Sequence, residues 1–113
     1  MNKHSYNYVR EECYYLMSEI PNEKILTKME ELLNVASDYT RLKILYAIMD
    51  EDKSVSTIVE EVGASQSLVS HQLKVLKKAN LVATHKEGTK VFYKLADEHV
   101  NSLLKVVQQH AEE

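Results

Sequence analysis

At 113 residues, 44% hydrophobic and 27% charged, the chain has the length of one domain and the composition of an ordinary soluble globular protein, with a net charge of −3. No run of eighteen apolar residues and no basic-then-apolar leader occurs, which excludes a membrane span and a secretory signal, and the single cysteine, Cys13, excludes an internal disulfide framework. These features predict a cytoplasmic protein without a membrane partner, and two glycines with one proline predict mostly helix joined by short connections.

The modest net charge conceals a partition. Residues 1–64 carry 7 basic and 12 acidic groups, a net of −5. Residues 65–94 carry six lysines against Glu87 alone, a net of +5, and residues 95–113 return to −3. A solvated charged face usually mixes both signs. A block of one sign points to nucleic acid even where the overall charge does not.

In chain order, residues 1–21 read as an N-terminal helical extension, with Val9, Cys13, Leu16 and Met17 at helical spacing before Pro21. It would suit packing on a partner subunit. Cys13 with His4 offers metal donors, although a lone thiol on an apolar face more commonly packs. Asn22 is placed to cap a second helix whose apolar face is Ile25, Leu26, Met29, Leu32, Leu33 and Ala36. Asp38 is placed to cap a third, from Tyr39 to about Met49, burying Leu42, Ile44, Leu45 and Ile48. Asp50-Glu51-Asp52-Lys53 reads as a charged break.

Ser54 to Val62 is predicted as a short helix closed by Gly63, and Ala64-Ser65-Gln66-Ser67 as a turn. Ser67 then opens a helix with Leu68, Val69, Leu73, Val75 and Leu76 apolar, and Gln66, Ser67, Ser70, His71 and Lys74 polar. Two short helices about a glycine-containing turn predict a helix-turn-helix. Short hydrogen-bonding side chains near the start of the second helix suit base edges, with Lys77 and Lys78 further along. The same serines and glutamine would also serve as plain capping residues. Next, Leu81–His85 and Val91–Leu95 are strand-like, with 86–90 as the turn between them. Lys86 and Lys90 at the hairpin tip suit phosphates, which position a reader without specifying sequence. The predicted fold is mainly α with a small β-hairpin: a winged helix-turn-helix, one domain over residues 1–113.

The last segment, 96–113, places Val100, Leu103, Leu104 and Val107 on one stripe of an amphipathic helix. His99 and His110 are eleven residues apart, which returns them to nearly one face but separates them by about 16 Å along the axis. With metal–nitrogen bonds of about 2 Å, one straight helix cannot bring both to a single ion. Two antiparallel copies about a two-fold axis near Leu104 can. Asp97 and His99 of one copy then face His110 and Glu113 of the other, giving two equivalent sites of two nitrogens and two carboxylates, a tetrahedral set for zinc. The bland alternative makes Asp97 a helix cap and leaves the histidines on a solvated face.

Taken together, Ser37-Asp38-Tyr39-Thr40-Arg41-Leu42-Lys43-Ile44-Leu45, the stretch Ser65-Gln66-Ser67-Leu68-Val69-Ser70-His71-Gln72-Leu73-Lys74-Val75-Leu76, Leu81-Val82 and the glycine-tipped wing resemble the ArsR/SmtB metalloregulators, over about residues 22–113. The resemblance implies a homodimeric winged-helix repressor that binds a palindromic operator when metal-free and dissociates on binding metal, with metal-efflux genes as its usual targets. The family's terminal-helix pattern, Asp-x-His-x10-His followed by His or Glu, falls on Asp97, His99, His110 and Glu113. It implies zinc or cobalt bound between subunits. Members that sense arsenic, cadmium or lead carry a Cys-x-Cys cluster where this chain has Ser54-Val55-Ser56-Thr57, which disfavours soft-metal sensing. Nickel would need further ligands, for which His4 is available.

The resemblance also suggests that His110 communicates with the backbone near His71 through a hydrogen bond. The alternative function is a winged-helix repressor whose terminal helix only dimerises and whose signal is not a metal. A zinc enzyme is disfavoured, since a closed four-ligand site lacks the open coordination position that hydrolysis needs.

Overall fold

The computed structural model describes residues 19–113. The predicted helix around Val9, Cys13, Leu16 and Met17, and His4 with it, lie outside the described residues. The first described helix, α1 (Glu23–Ala36), begins where its cap predicts: Asn22 Oδ1 accepts from the Ile25 amide at 2.9 Å. The chain divides into two units within this helix, one ending at Glu30 and the other spanning Glu31–Glu113. In the first, the apolar positions Ile25, Leu26 and Met29 are exposed.

In the second unit, Asp38 caps α2 (Tyr39–Ala47) by accepting from the Arg41 amide at 3.0 Å. The helix stops two residues short of the predicted Met49, and it buries Ile44 and Leu45 fully while Leu42 is only half-buried. The charged stretch after it does not run on as a loop through Lys53. Lys53–Ser54 forms β1, pairing antiparallel with the hairpin through Lys53↔Tyr93 and Ser54↔Phe92. The sheet therefore has three strands in the order β1-β3-β2, one more than the predicted hairpin. Two residues carry no legible alternation, so the sequence pattern could not reveal this strand.

Next come α3 (Val55–Val62) and α4 (Gln66–Lys78). Gly63 ends α3 in the left-handed conformation, φ 76°, with its N–H donating to Val59 O at 2.9 Å. α4 starts one residue before the predicted Ser67, because Ser65 is the cap and its Oγ accepts from the Leu68 amide at 3.2 Å. Its other end closes in a Schellman motif. Asn80 takes φ 63°, its N–H donates to Lys77 O at 3.0 Å, and the Leu81 N–H donates to Leu76 O at 3.0 Å. Leu76 and Leu81, the two residues joined by that second bond, are both buried, so the exit from α4 into the sheet is fixed by packing as well as hydrogen bonds.

β2 (Val82–Glu87) and β3 (Lys90–Leu95) pair from Val82↔Leu95 to Glu87↔Lys90, leaving only Gly88 and Thr89 as the turn. Gly88 has φ 66°, as the first central residue of a tight hairpin requires. Lys86 and Lys90 thus sit in strand ends rather than in a five-residue loop. The chain finishes in α5 (Glu98–Ala111). Ile44, Leu45, Ile48, Ile58, Val62, Val69, Leu73, Leu76, Leu81, Val82, Val100 and Leu104 make one core in which α2, α3, α4, the sheet and the start of α5 meet.

Candidate nucleic-acid interface and metal centre

Positions 69, 73 and 76 of α4 lie in the core, so helical periodicity turns positions 67, 71, 74 and 78 outward. Gln66, Ser67, His71, Lys74 and Lys77 are exposed and Ser70 is half-buried, which puts the predicted reading residues on one outward-facing surface. No acidic side chain stands in the first turn of α4, and Lys77 and Lys78 occupy its last turn. Lys86 and Lys90 are exposed at the wing tip.

Two contacts hold that surface, and sequence reasoning missed both. Arg41 on α2 donates from Nε to Val35 O at 2.6 Å and from Nη1 to Gln72 Oε1 at 2.7 Å, pinning the middle of α4 from behind. In the wing, His85 Nε2 lies 2.8 Å from Asp52 Oδ2, and its ring stacks on Phe92 with centroids 5.6 Å apart at 24°. Lys53 Nζ, next in the chain to Asp52, bonds Glu61 Oε1 at 2.7 Å. His85 and Phe92 are cross-strand partners, so alternation along two strands was the available signal for the stack. The Asp52 contact spans thirty-three residues and had none.

The four predicted metal donors fall into two pairs at opposite ends of α5. His99 Nδ1 lies 3.5 Å from Asp97 Oδ1, and His110 Nδ1 lies 3.7 Å from Glu113 Oε1. Two ligand atoms on one tetrahedral ion, each about 2.0–2.1 Å from it, are separated by about 3.3 Å, so each pair is spaced close to what one ion needs. The imidazoles are 98% and 87% exposed, so neither is committed to the core. Asp97 also caps α5, where its Oδ1 accepts from the His99 and Val100 amides at 2.9 and 3.3 Å. Among the described residues of one chain, no three His, Cys, Asp or Glu side chains come together. Nitrogen and carboxylate oxygen in equal number are a donor set that zinc or cobalt accepts.

No hydrogen bond joins His110 to α4 among the described residues. α5 is tied instead to α2. Tyr46 Oη lies 2.6 Å from Gln108 Oε1 and 3.1 Å from Leu104 O, and Gln108 Nε2 donates to Glu112 Oε2 at 2.9 Å. Leu103, Val106 and Val107 on α5, with Leu33 on α1, remain exposed apolar side chains. No described helix is long and apolar enough to cross a membrane.

Comparison with known proteins adds the family context. Residues 38–84 match the family described as "Bacterial regulatory protein, arsR family". The chain is 34% identical over 85 residues to the HTH-type transcriptional regulator KmtR of Mycobacterium tuberculosis, covering 75% of this chain and 65% of that protein. It therefore spans a little under two thirds of that relative's length. It is 37% identical over 89 residues to the arsenical resistance operon repressor of Bacillus subtilis, covering 78% of this chain and 84% of the relative. Among solved structures, the homodimeric winged helix-turn-helix DNA-binding domain of Mb0332 from Mycobacterium bovis superposes with a TM-score of 0.76 at 28% identity, covering 86% of this chain and 92% of that one.

Proposed function

The chain belongs to the arsR family of bacterial regulatory proteins, and from that premise we propose that it is a metal-responsive transcriptional repressor, homodimeric, bound to operator DNA when metal-free and released by zinc or cobalt. The observation that carries this reading is the pairing of an imidazole with a carboxylate at each end of one terminal helix, 3.5 and 3.7 Å apart, on side chains the core does not use. Asp97 and His99 of one subunit with His110 and Glu113 of the other would hold the ion. Bound there, it would supply a cross-link between subunits.

The chain's own residues do the rest. Gln66, Ser67, Ser70 and His71 would meet base edges in the major groove, with Lys74 and Lys77 on phosphates beside them. Lys86 and Lys90 would hold phosphates from the wing, positioned by the His85–Asp52 contact. Leu103, Val106 and Val107 would bury against a second copy. That interface brings the two ends of α5 to their counterparts. An effector shifts the DNA equilibrium only by its unequal affinity for the two shapes, typically about 1–3 kcal/mol. Relief of repression of metal-efflux genes is the physiological outcome proposed.

Asp97 favours a second reading, because its carboxylate is already accounted for as a helix cap. There the terminal helix only dimerises and the signal is not a metal. Fluorescence anisotropy on the DNA upstream of the protein's own gene, titrated with zinc at fixed salt, separates the two. Zinc is expected to release the wild type and to leave the His110→Ala variant bound. Release of neither protein by zinc, cobalt or nickel would favour the second reading. Salt is held constant because phosphate contacts make the affinity salt-dependent.

A further inference from the structure

The short helix α2 stands between the two ends of the proposed switch and makes a polar bond to each. Arg41 and Tyr46 are five residues apart, which separates them by about 7.5 Å along the helix and about 140° around it. Arg41 reaches Gln72 of α4, and Tyr46 reaches Leu104 O and Gln108 of α5. Between them Ile44, Leu45 and nearby Ile48 are 0%, 0% and 1% exposed, so this helix cannot flex at its middle without opening the core.

The far side of the Tyr46 anchor lies beside the proposed ligands. Gln108 bonds Glu112, next in the chain to Glu113 and two residues after His110. The Tyr46 hydroxyl has one proton for two acceptors, with the shorter contact at Gln108. A cleft of about 270 Å³, lined by Leu42, Tyr46, Leu104, Val107, Gln108 and Ala111, separates the apolar surfaces of α2 and α5 at this point. The hydroxyl bridges the two helices at this cleft.

We propose that Tyr46 is a positioning residue that ties the C-terminal half of α5 to α2, and that α2, through Arg41 and Gln72, passes the position of α5 to the DNA-reading helix. This rests on the metal-sensing reading for its purpose, but the mechanical link can be tested without metal. Tyr46→Phe keeps the ring and removes the hydroxyl, and Gln108→Ala removes the nearer of its two acceptors from an exposed position, leaving Leu104 O.

The first arm is amide hydrogen exchange of the metal-free full-length protein. Tyr46→Phe should speed exchange around Gln72 on α4 by about fivefold relative to the amides of α3, the equivalent of one lost hydrogen bond, and Gln108→Ala should do so by less. Unchanged exchange on α4 in both variants would overturn the link, whatever zinc does. The second arm compares operator affinity with and without zinc, and zinc affinity with and without operator. Both ratios should shrink together in Tyr46→Phe, because the coupling is reciprocal. Ratios equal to wild type would also overturn the proposal. A wild type without any zinc response would instead count against the sensor reading, leaving the exchange arm to decide the link.

Discussion

The reading helix and the terminal helix differ in how completely one chain places them. In α4, Val69, Leu73 and Leu76 anchor the helix along its length, Arg41 fixes its middle, and a Schellman motif fixes its exit. In α5, Val100 and Leu104 are buried, and every residue from Lys105 to Glu113 is exposed. The first surface is rigid within its own chain. The second holds its chemical groups in two half-sets about 16 Å apart by helix geometry. A reader of DNA must be preformed to be specific, whereas the proposed sensor would gain from being incomplete until its subunits meet, because completing it would then change how they meet.

The largest expected effect breaks the rigid side of that contrast. Leu73→Ala should cost about 2–5 kcal/mol in chemical denaturation, since Leu73 is 1% exposed and the cavity lies under the reading surface. DNA binding should fall with the folded fraction. A loss below about 1 kcal/mol would show that α4 is not anchored by this core.

Next comes the incomplete side. His99→Ala and His110→Ala homodimers should each lose more than about 100-fold in zinc affinity at both sites, beyond what loss of a supporting contact gives. A mixed dimer of the two variants should regain one intact site per dimer in a titration. Mixing that restores nothing would place the ligands within one chain or elsewhere.

Asp97 sharpens the comparison, since it combines folding and the proposed ligation in one carboxylate. Asp97→Ala should destabilise the protein by about 1 kcal/mol through the lost cap, while Asp97→Asn should keep most of that stability. Both should bind zinc more weakly in a competition assay. Undiminished zinc binding in Asp97→Asn would leave the residue as a cap alone.

The smallest effects are at the wing. Lys86→Ala and Lys90→Ala should each weaken operator binding evenly across sequence variants and flatten the dependence of log affinity on log salt by about 1.8, about 0.9 for each subunit of the dimer. A change in sequence preference instead would mean that the wing reads bases.

The capping residues Asn22 and Asp38, the glycine at the end of α3 and the apolar stripes from Ile25 onward are local signals, and the helices they predict among the described residues are present. The placing of Asp97 with His99 at one end of α5 and His110 with Glu113 at the other was equally legible, because helical periodicity relates nearby residues without reference to any other element. What local signals could not supply were contacts across long separations. β1 is two residues long and exists because β3 lies beside it. The lysines of the wing lie in strands because a two-residue turn closes the pairing. Arg41–Gln72, Asp52–His85 and Tyr46–Gln108 join residues 31, 33 and 62 positions apart, with no period to betray them. Short-range order follows from the intrinsic geometry of the backbone and was legible in the order of residues. The polar bonds that hold the reading surface and tie α5 to α2 depend on how the helices pack, and packing is a property of the whole core.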